Sequence, residues 1–216
     1  MTKRLKELFA LLPKCQVFAD IGCDHGYVAK AMLESGKCQK SILSDISEKC
    51  LKKAQELLKD DILDSRAIAV VSDGFQNLPQ VDLALIAGMG GEEIVHILSN
   101  AKTLPESLVL QPMKNSTKVR ATLLDLGYAV QKDYTFSCGK IFYDVILAKK
   151  GKDFLTEEEL EFGRTNLQEK PKAFIDYLKL QISNLTTFAN GKSVKEETKK
   201  EMLSKAEKLK KYVDDK

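Results

Sequence analysis

The sequence predicts an α/β fold: a Rossmann-like, doubly wound sheet of seven strands, followed by a small helical hairpin domain. Three observations carry this. Up to about Lys150, short β-type runs alternate with helical patterns. Several early runs are apolar throughout, as expected of strands covered on both faces. Beyond Lys150 apolar residues recur almost entirely at three- and four-residue steps.

The chain opens with MTKRLKELFALLPK, whose charges at Lys3, Arg4, Lys6 and Glu7 fit an amphipathic helix and not a secretory signal. The β-type runs follow as VFADI, SILSDI, AIAVVS, DLALIAG, SLVLQP, YAVQKDYTF and FYDVILAKK. Helical segments are expected over roughly 26–35, 48–59, 92–99 and 116–125. Only SCGKI separates the last two runs, which suggests an antiparallel hairpin closing one edge. Five parallel strands with a reversed final hairpin is the plan of class I methyltransferases, although a plan alone proves no reaction.

Residues 1–150 would form the sheet domain and residues 151–216 the helical one. In the latter, 157–162 reads as a short helix. Two longer coiled-coil-like helices carry Phe174, Tyr177, Leu178, Ile182 and Leu185, then Met202, Ala206, Leu209 and Val213. Asn190-Gly191-Lys192 would join them. Such a pair cannot bury its seam alone, so it should pack on the rest of the chain.

Composition narrows the function classes. With 44% hydrophobic and 30% charged residues, disorder is not indicated. The longest apolar stretch, LALIAGM, falls well short of the roughly 20 residues a spanning helix needs, so a cytoplasmic protein with no membrane partner is expected. Five cysteines without a CxxC pair and only two histidines, His25 and His96, suggest neither a disulfide framework nor a metal site. The net charge of +3 permits nucleic-acid binding without arguing for it.

The informative junction is VFADIGCDHGYVAKAML. Gly22 and Gly26 lie where the first strand turns into a helix, with Asp20, Asp24 and His25 beside them. A dinucleotide site would use G-x-G-x-x-G, and carboxylates at Asp20 and Asp24 would repel a pyrophosphate. A ligand bearing an ammonium and a sulfonium would be attracted. Asp45 ends the second strand, where an acid can accept both ribose hydroxyls; a helix N-cap is compatible with that role. Asp73-Gly74 follows the third strand, where a carboxylate can receive the adenine amine; a plain turn is the other reading. Acids at three successive strand ends favour S-adenosylmethionine. At the fourth strand end, Gly88, Met89, Gly90 and Gly91 leave backbone without side chains before a helix begins.

ADIGCDHGY at 19–27, AGMGG at 87–91, LQP at 110–112 and GKIFYDVILA at 139–148 together resemble the TrmK family of bacterial tRNA adenine-22 N1-methyltransferases. A weaker resemblance extends to EFGRTNLQEKPKAFIDYL. The resemblance implies a class I fold, S-adenosylmethionine as methyl donor and a tRNA adenine as acceptor. It assigns Asp20, Gly22, Asp24, His25, Gly26, Asp45, Ile46, Asp73, Gly74, Gly88, Met89 and Gly90 to the cofactor. Gly91, Gln111, Pro112, Lys114 and Tyr143 fall to the acceptor. Two positions depart from the family: Met113 stands where an Asn follows Gln-Pro, and Asp144 where a Glu follows the Tyr.

Adenine N1 has no proton to lose, so methylation there needs alignment and stabilisation of a cationic product more than a strong base. Asp24 is the expected catalytic carboxylate, a helix N-cap being its alternative. His25 would order it or stack on the base, and His96 reads as structural. The target base must be unstacked or already unpaired; Tyr27, Phe142 or Tyr143 could stack on it. Lys3, Arg4, Lys6, Lys114, Lys118 and Arg120 are candidates for phosphate contacts. A monomer is expected. Two alternatives remain: a methyltransferase acting on a small molecule, and a non-catalytic module binding S-adenosylmethionine or RNA.

Overall fold

The computed structural model describes residues 1–191 and 194–214, so Lys192 of the expected connection lies outside the described residues. An opening helix α1 (Lys3–Leu11), capped by the Thr2 hydroxyl, precedes β1 (Val17–Ile21), α2 (Tyr27–Glu34), β2 (Lys40–Asp45), α3 (Glu48–Leu57), α4 (Lys59–Leu63) and β3 (Ala67–Val71). Then come β4 (Leu83–Met89), α5 (Gly91–Ser99), β5 (Ser107–Pro112), α6 (Ser116–Asp125), β6 (Tyr128–Cys138) and β7 (Ile141–Lys150). The seven strands form one sheet in the order β3-β2-β1-β4-β5-β7-β6. The first five run parallel, and β7 pairs antiparallel with both β5 and β6.

The apolar runs are explained by the two faces they serve. Phe18, Leu43, Leu83, Leu85 and Val109 pack with Leu8 of α1 and with Val28 and Met32 of α2. The alternate residues Ala19, Ile42, Ala84, Ile86, Leu108 and Leu110 pack with Ile94 of α5 and Val119 and Leu123 of α6. With both faces covered, apolar residues follow one another instead of alternating with polar ones. The edge strand β3 departs from this, and its Ile68 and Val71 are exposed.

Beyond β7 lie α7 (Glu157–Phe162), α8 (Arg164–Glu169), α9 (Lys172–Ala189) and α10 (Glu196–Asp214). Phe174, Leu178 and Leu209 centre a separate apolar cluster of these helices, joined by Phe162 and Tyr212. The helices are fastened to the sheet by a buried polar knot. Asp133 of β6 accepts from Arg120 Nε at 2.7 Å, from the Thr165 amide at 2.9 Å and from the Arg164 amide at 3.2 Å. Arg120 in turn donates through Nη1 to the Leu160 carbonyl at 3.1 Å. Both side chains are fully buried. Arg120 is therefore not a phosphate contact, contrary to the expectation from its position in a lysine-bearing helix.

Candidate active site

The carboxyl ends of β1 to β4 open into one cleft of about 1330 Å³, where β1 is flanked by β2 on one side and β4 on the other. Open α/β sheets bind ligands at such a reversal of strand order. The chain leaves β1 through Gly22 at φ 70°. The amides of Gly22 and Cys23 both donate to the Ser44 carbonyl, at 2.7 and 3.0 Å, drawing the loop over β2. A Cβ on Gly22 would lie 2.1 Å from Cε of Met89. The bare glycine thus leaves room for the Met89 side chain at the end of β4.

Asp20, Asp24, Asp45 and Asp73 line this cleft at the ends of β1 to β3, and Glu93 of α5 adds a fifth carboxylate. Asp20 is only 6% exposed. It accepts from the Ala29 amide in the first turn of α2, whose N-cap Gly26 has no side chain to do so. Burial outweighs that bond, the Asp45 charge adds to it, and the Asp20 carboxyl is pushed up to about 7. Such a group favours a cation beside it.

Asp24 stands in the left-handed region at φ 46°, and its amide donates to Asp45 Oδ2 at 3.3 Å. Its own carboxylate accepts from His25 Nδ1 at 2.7 Å and lies 3.6 Å from Lys53 Nζ. Partial burial works to raise its pKa, but His25 and Lys53 prevail and hold it below the usual carboxylate range. Asp24 is therefore ionised, exposed and fixed in direction.

Asp45 Oδ1 accepts from the Ser47 amide at 2.8 Å. Next to it Ile46 is 72% exposed, an apolar side chain laid open on the cleft wall. Beyond, the Ser72 and Ser44 hydroxyls donate to the Gly74 carbonyl at 3.2 and 3.4 Å, shaping the turn that carries Asp73. Hydroxyl and amine acceptors with an apolar surface between them suit a nucleoside.

At the opposite end a bulge between Ala87 and Met89 interrupts the β4–β5 pairing, with Gly88 at φ 81°. Arg4 of α1 fills the space a side chain would need there: a Cβ on Gly88 would lie 3.0 Å from Arg4 Nη1. Tyr143, stacked on Phe136 with centroids 5.5 Å apart, closes this wall.

Residues 1–146 match a family described as a methyltransferase domain. The chain belongs to this methyltransferase family. A Mycoplasma pneumoniae protein carrying a provisional name as a tRNA methyltransferase is 30% identical over 201 residues, covering 88% of this chain and 92% of its own. The Bacillus subtilis tRNA (adenine(22)-N(1))-methyltransferase is 30% identical over 156 residues, 70% of this chain and 66% of that protein. Among solved structures, M. capricolum TrmK in complex with S-adenosyl-homocysteine has a TM-score of 0.87 at 24% identity, covering 99% of this chain and 98% of that one. The likeness to that structure shows a shared fold. The resemblance to TrmK read from the motifs is borne out by these relatives.

Of the family-derived site residues, Asp20, Gly22, Asp24, His25, Asp45, Ile46, Asp73, Gly74, Gly88, Met89 and Tyr143 meet in the cleft. The others lie outside its lining. Gly26 packs inward, where a Cβ would meet Leu58 at 3.0 Å and Ala54 at 3.1 Å. Gly90 is the extended N-cap of α5, and Gly91 makes room for the Lys114 and Asn115 carbonyls. Gln111 is fully buried beneath Arg4. Pro112 and Lys114 line a smaller groove of about 410 Å³ toward α9 and α10, with Phe142, Tyr177 and Lys205. Met113, half exposed, borders both cavities.

His96 and the N-terminal segment are parts of the cleft that the sequence does not reveal. His96 is exposed on α5 and lines the cleft, so it is not the packing residue its helical position suggested. Residues 1–5 also form part of the wall. Nothing in MTKRLKELF distinguishes that segment from an ordinary surface helix.

Proposed function

We propose that this protein is an S-adenosylmethionine-dependent tRNA methyltransferase acting on the N1 nitrogen of adenine, at position 22. The observation that carries the reading is the row of carboxylates at the ends of β1, β2 and β3, in one cleft of a chain whose relatives carry that activity in their names. The cofactor fits the donor set. Asp45 offers acceptors to a ribose, Ile46 a face to an adenine, Asp73 an acceptor to its amine, and Asp20 a buried negative charge to a cation.

The cofactor supplies an electrophilic methyl group on a positively charged sulfur. Everything else falls to the chain. Asp24 presents an ionised carboxylate near the acceptor, where it can accept from the adenine amine and offset the positive charge that develops on the ring. No general base is required, because N1 carries no proton. Tyr27 is 46% exposed and stacks parallel to His25 with centroids 5.6 Å apart, giving an unstacked base an aromatic surface to rest on.

In this reading residues 1–150 are the catalytic domain, and the helices of 151–216 contact the tRNA in a cytoplasmic enzyme. Lys114, exposed between the cleft and those helices, is placed for a phosphate. The test is transfer of labelled methyl from S-adenosylmethionine to unmodified bacterial tRNA by the purified protein. Labelled tRNA is expected; labelling of free adenosine with equal efficiency, and not of tRNA preferentially, would reject the reading.

A further inference from the structure

Arg4 combines a fixed position with unused donors. A guanidinium has five N–H groups and stays charged at any working pH. One of them, on Nη1, goes to Gln111 Oε1 at 2.9 Å. Among the described residues no carboxylate pairs with it, although it is half-buried at the cleft wall.

Its support is built from three sides. Gln111 is fully buried, and its amide Nε2 donates to the Pro112 carbonyl at 3.1 Å and toward Met113 Sδ at 3.4 Å, which turns Oε1 to the arginine. The Tyr143 ring lies 5.8 Å from the guanidinium carbon, and that ring is itself held by Phe136. Gly88, bare at the bulge, leaves the space Nη1 occupies. A half-buried cation held this firmly, with no carboxylate of its own, is arranged for an anion that arrives with a ligand.

Its place in the sheet is also informative. Gly88, Gln111 and Tyr143 belong to β4, β5 and β7, whereas Asp45 and Asp73 belong to β2 and the turn after β3, on the other side of β1. The anion therefore lies away from the nucleoside end of the cleft. We propose that Arg4, positioned by Gln111 and Tyr143, is an anion-binding residue of the cleft. It would take either the carboxylate of the cofactor's amino-acid end or a phosphate of the RNA strand. This rests on the function proposed above. It also resolves an electrostatic conflict, since an uncompensated guanidinium would oppose the positive charge formed on the methylated ring.

The test compares Arg4→Met and Arg4→Lys with the unaltered protein. Calorimetric titration uses S-adenosylmethionine and its decarboxylated analogue, and tRNA binding is followed over a range of salt concentrations. If the anion is the carboxylate, Arg4→Met weakens S-adenosylmethionine on the order of tenfold or more and leaves the decarboxylated compound unchanged. If it is a phosphate, cofactor affinity holds, tRNA binding weakens by a similar factor, and the salt slope falls by roughly one. Arg4→Lys recovers part of the loss in either case. Unchanged affinity for both ligands, or equal weakening of the decarboxylated compound, would overturn the assignment. Should the protein fail to methylate tRNA at all, the cofactor titrations still report on Arg4 by themselves.

Discussion

The carboxylate of Asp24 accepts a hydrogen bond from Nδ1 of His25 at 2.7 Å, and both side chains are open to the cleft. Two neighbours in sequence can make this contact because Asp24 takes a left-handed backbone conformation at φ 46°. Asn tolerates that conformation well, so Asp24→Asn removes the charge and spares the loop. Its turnover should fall on the order of a hundredfold or more, with S-adenosylmethionine binding within a few-fold of normal by calorimetry. Normal turnover in this variant would remove Asp24 from the mechanism.

Asp20 should make cofactor binding depend on pH. Its carboxyl is pushed up to about 7 by burial and by the Asp45 charge, and the cationic cofactor prefers the ionised form. Affinity should climb by up to about tenfold per pH unit below 7 and level off above it. A flat profile from pH 5.5 to 8.5 would contradict this.

The same shift bears on folding. In the unfolded chain Asp20 ionises near 3.8. Between about 4 and 7 the folded state therefore holds a proton the unfolded state has released, and stability falls as pH rises through that window, by up to about 4 kcal/mol. Asp20→Asn keeps an acceptor for the Ala29 amide without the charge. At pH 8 it should melt higher than the unaltered ligand-free protein while binding the cofactor worse, both readable by thermal shift.

Gly22 and Gly91 should fail in different ways. At Gly91 a Cβ would lie 2.5 Å from the Lys114 carbonyl and 2.7 Å from that of Asn115. Backbone cannot step aside cheaply, so Gly91→Ala should lose roughly 1–3 kcal/mol in denaturant titration. At Gly22 the obstacle is the flexible end of Met89. Gly22→Ala should carry about 1–2 kcal/mol of left-handed strain and push Met89 into the cleft. Adding Met89→Ala should restore cofactor affinity but not stability.

The buried pair of Arg120 and Asp133 ties the last four helices to the sheet. Arg120→Met strands the Asp133 carboxylate, at roughly 3–5 kcal/mol. Limited proteolysis between Gly151 and Gly163 should then outpace that of the unaltered chain. Equal cleavage rates would show that the helices are held by other contacts.

The sheet was legible because parallel strands buried on both faces are written as unbroken apolar runs, and acids ending such runs mark the rim of the cleft. The 116–125 and 157–162 helices were read with the bounds the structure gives them. α8 is as short as the 157–162 helix but lacks its Thr156–Glu159 capping box, so nothing in RTNLQE marks its start, and the second of the helices in 48–63 begins where Leu58 breaks the first. Charge was the other blind spot. Arg120 stands among lysines and faces a carboxylate thirteen residues on in sequence; Arg4 reaches a glutamine 107 residues away. Neither partner is visible from local pattern. Glycine is equally silent, since Gly22 facing the cleft and Gly91 facing a carbonyl look the same in sequence.

The most direct measurement is mass spectrometry of nucleosides from unmodified tRNA incubated with the protein and S-adenosylmethionine, with Asp24→Asn alongside. Appearance of 1-methyladenosine, at one residue per tRNA and lost in the variant, is the predicted result. Methylation of a different nucleoside, or none over many equivalents of protein, would contradict the account.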